Sequence, residues 1–134
     1  MEEVETLDET VDLHGDHKTP LVTVVIPTYN RAKYIRRGIR SVLRQTTGKW
    51  KLLIIDDGST DKTKKVVKKF LSDPRIRYVR LRKNRGVSYA LKRALKLVDT
   101  KYFSQLDADD WYERDTLAKC IRKMEKSGKR VAVV

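Results

Sequence analysis

A chain of 134 residues with 31 Lys and Arg against 18 Asp and Glu has a formal net charge of +13, and its length supports one compact domain with a core and little more. A single cysteine, Cys120, excludes an internal disulfide and a multi-cysteine zinc site, and its place in a helical apolar pattern reads as core. No apolar run reaches transmembrane length and the acidic N-terminus is unlike a signal peptide, so the expected setting is reducing and cytoplasmic, with peripheral contact at the cytoplasmic face of a membrane left open.

Residues 1–17 contain Glu2, Glu3, Glu5, Asp8, Glu9, Asp12 and Asp16 and neither Lys nor Arg. Without these seven acids, 11 remain against the same 31 cations, an excess of 20 positive charges on residues 18–134. Few large apolar residues and no periodicity make residues 1–19 an acidic, solvated tail ahead of a domain over residues 20–134. His14 and His17 lie in that tail without a metal-ligand pattern around them.

After Pro20, strand-like runs alternate with helical segments. Leu21–Ile26 is a continuous, largely β-branched run, the pattern of a strand buried on both faces. Ala32–Gln45 places Ile35, Ile39, Val42 and Leu43 at helical spacing. Trp50–Ile55 is the next strand, stopped by Asp56-Asp57-Gly58, and a short helix follows over Lys62–Leu71 with Ser59, Thr60 or Asp61 as its cap. Its lysines (Lys62, Lys64, Lys65, Lys68, Lys69) form a solvated side. Asp73-Pro74 turns the chain into a strand at Ile76–Leu81, and Asn84-Arg85-Gly86 opens a helix over Val87–Val98. Tyr102–Leu106 is the fourth strand and Arg114–Lys126 the fourth helix. Ser127-Gly128-Lys129 ends that helix, and Val131–Val134 begins a fifth strand. Trp50 and Trp111 read as packing residues.

Strands and helices alternating at these lengths predict an α/β fold with a mainly parallel, Rossmann-like sheet and helices on both faces. Ligands of such sheets bind beyond the carboxyl ends of the strands. Three polar clusters fall there: Pro27–Arg31, Asp56–Asp61 and Asp107–Asp110. Asp107-Ala108-Asp109-Asp110 concentrates negative charge in a basic chain. Carboxylates so close repel unless a cation sits among them, and their oxygens suit Mg²⁺ or Mn²⁺ arriving with substrate phosphates. The bland reading of each acidic cluster is a turn and a helix start, for which Asp, Gly and Ser are common; one acid would suffice for that.

At these residues the chain resembles the family-2 glycosyltransferases, which have the GT-A fold. The resemblance rests on Val22–Arg31 (VTVVIPTYNR), Ile54–Asp61 (IIDDGSTD), Asn84–Ser88 (NRGVS) and Leu106–Trp111 (LDADDW), in that order and spacing, and covers residues 20–134. It implies the nucleotide-sugar-binding half of such an enzyme, a GT-A fold truncated before the acceptor-binding half. A glycosyltransferase of hexosyltransferase type would bind a nucleotide-diphosphate sugar, a UDP-sugar in the first instance. It would transfer the sugar, with inversion, to the hydroxyl of a glycan or lipid-linked acceptor.

The resemblance also implies residue roles. Asp57 would accept a hydrogen bond from the nucleobase, Tyr29 would pack against the base, and Pro27, Thr28 and Asn30 would line the same pocket. Asp107 would face the ribose or the metal's waters, and Asp109 would be the direct metal ligand. Arg85, or Arg93, would meet the diphosphate. Asp110 would support the metal shell or act near the sugar, and is the lesser candidate for a catalytic carboxylate; the family's general base lies in the later half. One departure stands out: the family often has Arg-Asn where this chain has Leu91-Lys92.

Three other readings compete. A non-catalytic module would hold the nucleotide without transfer. A phosphoacceptor domain also gathers acids at strand ends but leaves Pro27–Asn30 without a role. Nucleic-acid binding through the basic faces leaves the carboxylate rim unexplained and is disfavoured. No Gly-x-Gly-x-x-Gly follows the first strand, which argues against a dinucleotide site.

Overall fold

The computed structural model describes residues 4–7 and 19–128. In chain order the elements are β1 (Val4–Leu7), β2 (Val22–Thr28), α1 (Ile35–Leu43), β3 (Trp50–Asp56), α2 (Thr63–Lys68), β4 (Ile76–Leu81), α3 (Val87–Leu97), β5 (Tyr102–Gln105) and α4 (Thr116–Ser127). The strands form one sheet in the order β1-β4-β3-β2-β5. Pairings of β4, β3, β2 and β5 are parallel, and β1 joins the β4 edge antiparallel, Val4 opposite Leu81.

Successive side chains of a strand point to opposite faces, so each strand feeds two cores. Val22, Val24 and Ile26 of β2, Trp50, Leu52 and Ile54 of β3, and Ile76 and Tyr78 of β4 pack on one face against residues of α1, α2 and α4. Val25, Leu53, Ile55, Val79 and Leu81 pack on the other against Ala90 and Ala94 of α3. Leu52 and Ile54 are fully buried; truncating either to Ala would cost about 2–5 kcal/mol.

The distribution of helices follows from handedness. The chain steps from β2 through α1 to β3 and through α2 to β4, always in one direction across the sheet. From β4 it must return past β3 and β2 to reach β5. A right-handed crossover in the reverse direction puts its helix on the opposite face, where α3 lies. The reversal makes the gap between the carboxyl ends of β2 and β5 a topological switch point.

The parallel sheet, its four strands and its helices on both faces agree with the expected fold. The acidic tail is corrected at Val4–Leu7: β1 pairs with the otherwise open edge of β4, a partner remote in sequence that local composition does not reveal. The remaining tail residues 1–3 and 8–18, and the expected strand at Val131–Val134, lie outside the described residues. Helices are shorter than the apolar period suggests because their ends tighten into three-residue turns. Gln45 N–H donates to the Val42 carbonyl, and Lys69, Phe70 and Leu71 likewise donate three residues back. No described helix is long and apolar enough to cross a membrane.

Candidate functional site

A cleft of about 320 Å³ opens at the switch point. Pro27 and Thr28 at the end of β2, with Tyr29 and Arg31 just after it, form one part of its wall. Asp57 after β3, Val87 and Ala90 of α3, and Asp107, Ala108 and Asp109 after β5 form the rest. Three strand ends and one helix from distant parts of the chain thus supply one surface.

The adjacent acids Asp56 and Asp57 divide the work. Asp56 ends β3 on the same face as Trp50, Leu52 and Ile54, and is fully buried. Its oxygens accept the Ser59 N–H at 2.8 Å and the Tyr78 hydroxyl. Asp57 points the other way and lines the cleft. Its two oxygens accept the backbone N–H groups of Arg85 and Gly86, each at 2.8 Å. Each oxygen keeps further acceptor capacity for a ligand donor. Gly58, at φ 79°, makes the turn and approaches the β4–α3 loop closely: a Cβ there would stand 2.9 Å from the Asn84 nitrogen and the Lys83 carbonyl carbon.

Asn30, the one non-glycine residue at positive φ (52°) among the described residues, ties the β2 and β3 loops together. Its side-chain oxygen accepts the N–H groups of Thr60 at 2.8 Å and Asp61 at 3.2 Å, while its own N–H donates to the Ser59 hydroxyl. Asp61 accepts the Thr63 N–H at the start of α2 and the Ala32 N–H across the gap. Burial alone would raise the Asp61 carboxyl, but hydrogen bonds from the Thr63 hydroxyl, Thr63 N–H and Ala32 N–H together hold it below the ordinary carboxylate range.

After β5, Ala108 is buried and turns Asp107 and Asp109 outward, both exposed. Asp107 accepts a long hydrogen bond, 3.3 Å, from the Gln105 amide. The Asp109 carboxylate has no partner among the described residues. Thr28, also in the wall, is buried with its hydroxyl unpaired. Among the described residues no group of three His, Cys, Asp or Glu side chains converges to cage an ion. Two outward carboxylates without a third fit a Mg²⁺- or Mn²⁺-type cation that completes its shell with water and substrate phosphates.

Of the residues singled out from sequence, Pro27, Thr28, Tyr29, Asp57, Asp107 and Asp109 meet at the cleft. Asn30 is engaged between loops, and Asp110 accepts the Trp111 N–H at 2.9 Å; neither lines the cleft. Arg85 contributes its backbone N–H, and its guanidinium lies 5.2 Å from the Tyr89 ring centroid. Arg31 belongs to the expected Pro27–Arg31 cluster but had no assigned role, and Val87 and Ala90 were not foreseen. Val87 could have been noticed as an apolar first residue of a helix with no core beneath it; it is 56% exposed, beside the 40% exposed Tyr29. Trp50 is buried as expected, but the packing role for Trp111 is corrected: it is 46% exposed and stacked against Arg37.

This sheet, with carboxylates from separate strand ends meeting at the switch point, is a GT-A fold. Solved structures carry the likeness in three dimensions. TarS residues 1–349 from S. aureus, in complex with UDP, superimposes with a TM-score of 0.74 at 28% identity, covering 79% of this chain and 32% of that one. A mannosyltransferase from Pyrobaculum calidifontis, in complex with GDP-Man and Mn²⁺, gives 0.72 at 31% identity, covering 84% and 35%. The family model for glycosyl transferase family 2 matches residues 23–134, and the chain belongs to that family. Among curated relatives, the chondroitin synthase of Escherichia coli is 38% identical over 110 residues, 81% of this chain and 16% of that protein. A putative teichuronic acid biosynthesis glycosyltransferase of Bacillus subtilis is 38% identical over 110 residues, 81% of this chain and 44% of its own length. The chain therefore spans less than half the length of these relatives.

Proposed function

We propose that the cleft binds a nucleoside-diphosphate sugar together with a divalent cation, as the donor site of an inverting glycosyltransferase. The observation that carries this reading is the convergence of Asp57, Asp107 and Asp109, from two different strand ends, with Tyr29 and Val87 on one cleft. Asp57 accepts an N–H of the base, which suits uracil or guanine, while Tyr29 and Val87 supply the apolar surface against which its ring rests. Arg31, exposed in the wall, supplies a positive charge for the phosphates.

Asp109 and Asp107 would hold Mg²⁺ or Mn²⁺, whose charge stabilises the diphosphate leaving group. The remaining chemistry belongs to the chain: Asp57 and the β2 loop fix the nucleoside, so the sugar's anomeric carbon is presented in one orientation. Relatives named as polysaccharide synthases and neighbours solved with UDP or GDP-Man support a sugar nucleotide as donor and a glycan as acceptor.

Calorimetric titration with UDP, UDP-sugars and GDP, each with Mn²⁺ and again with chelator, tests the reading. Binding confined to the Mn²⁺ titrations is the expected result. Equal affinity with chelator removes the metal from the site, and no binding of any nucleotide removes the donor reading.

A further inference from the structure

Along α1 and its flanking turns, Lys33, Arg36, Arg37, Arg40 and Arg44 recur every three or four residues as one exposed stripe. Like charges four residues apart repel, and the first turn of α1 contains no acid to offset them. Lys33, Arg36, Arg40 and Arg44 meet no carboxylate among the described residues. The stripe is one wall of a groove of about 690 Å³ whose other wall, Trp111–Arg114, adds Arg114 and a single acid, Glu113. The second wall is fixed to the first: Tyr112 N–H donates to the Ser41 hydroxyl at 3.0 Å, and the Gln45 amide donates to the Glu113 carbonyl at 2.6 Å.

At this groove Trp111 remains 46% exposed, with the Arg37 guanidinium 3.7 Å from its ring centroid. Unpaired guanidinium groups take carboxylates or phosphates in forked hydrogen bonds. A flat indole edge beside them offers an apolar surface to the C–H side of a sugar ring. The groove also adjoins the donor cleft: Asp109 lines one and Trp111 the other, with Cα atoms at most about 7 Å apart along the chain.

We propose that this groove is the docking surface for an acidic glycan, a sugar chain bearing anionic groups, that serves as the acceptor. The acceptor role rests on the donor reading above; the binding itself does not. Nucleic acid or an anionic bilayer would use the charge, but neither accounts for a groove that continues from the carboxylates of the cleft.

The test is calorimetric titration of the full chain, without nucleotide or metal, with a galacturonic acid hexamer. Neutral maltohexaose, inorganic polyphosphate, a single-stranded DNA 12-mer and phosphatidylglycerol vesicles are the comparisons. The hexamer should bind at least tenfold tighter than maltohexaose, polyphosphate, DNA or vesicles. Arg36→Gln with Arg40→Gln and Arg44→Gln should weaken it at least tenfold, Trp111→Ala at least threefold. Lys62→Gln with Lys65→Gln and Lys69→Gln, removing equal charge from α2 and its two caps, should change it less than twofold. Polyphosphate or DNA bound as tightly, with no effect of Trp111→Ala, makes the groove a general polyanion surface and overturns the proposal. Preference for vesicles overturns it in favour of a membrane face, and an unbound hexamer overturns it outright. The groove variants should keep UDP–Mn²⁺ affinity; loss of that affinity in the unaltered chain counts against the donor reading and leaves the glycan titration standing.

Discussion

The Asp57 carboxylate joins the end of β3 to Gly86, the residue that opens α3: one oxygen takes the Gly86 N–H and the other the Arg85 N–H, each at 2.8 Å. A side chain that faces the cleft is thereby also the latch of a neighbouring loop. In Asp57→Asn the amide nitrogen must face one of the two N–H groups, and the hydrogen bond to a charged group that is lost is worth about 1.5–3 kcal/mol. UDP affinity should fall at least tenfold, and pyrophosphate–Mn²⁺ affinity much less. Equal losses in calorimetry would show that Asp57 does not read the base.

Among the described residues Asp109 has no partner to lose, so Asp109→Asn should leave stability within about 0.5 kcal/mol of the parent. The same change should remove most of the Mn²⁺-dependent part of nucleotide affinity. Asp110→Asn, whose carboxylate serves the Trp111 N–H, should have the smaller effect on metal dependence. The opposite order would exchange their roles.

Gly58→Ala sets a methyl group 2.9 Å from the Lys83–Asn84 backbone at a φ of 79°. Left-handed backbone costs about 1–2 kcal/mol for a residue with a Cβ, and overpacking adds about 1–3 kcal/mol. Urea denaturation should register a loss above about 2 kcal/mol, with donor affinity falling as Asp57 loses its latch. A variant as stable as the parent would refute the close approach.

Burial pushes the Tyr112 phenol up from 10.0 to about 12, against the opposing hydrogen bond from Ser104. The folded state thus holds its proton where the unfolded state releases it. The associated stability is complete below pH 10 and is lost as the pH rises through about 12. Absorbance titration of phenolate should lose one late-titrating group in Tyr112→Phe, and that variant should show a flatter fall in stability over the same range.

Much of this architecture is written locally. Val22–Ile26 is apolar at all but one position because both faces of β2 are covered, and the period of α1 is plain in Ile35, Ile39 and Val42. Asp57, Asp107 and Asp109 were legible as strand-end carboxylates. Asp56, grouped with the rim residues from its neighbours in sequence, is corrected: counting by twos from Trp50 through Leu52 and Ile54 carries it into the core toward Tyr78. What local pattern cannot supply is the remote partner. Val4–Leu7 becomes a strand only because β4 offers an open edge, and the Trp111 ring finds its partner in Arg37, far away in sequence.

The loop stitching makes the two sides of the cleft mechanically unequal. Asn30 and Asp57 fuse the segments after β2, β3 and β4 into a single stiff jaw. The opposite jaw, bearing Asp107 and Asp109, is moored instead to the rear of α1, through Ser41, Gln45 and the close approach of Gly38 to the Asp110 carbonyl. The carboxylates expected to grip the cation are thus carried by a segment that α1 holds in place, whereas the residues facing the nucleobase sit on loops that hold one another.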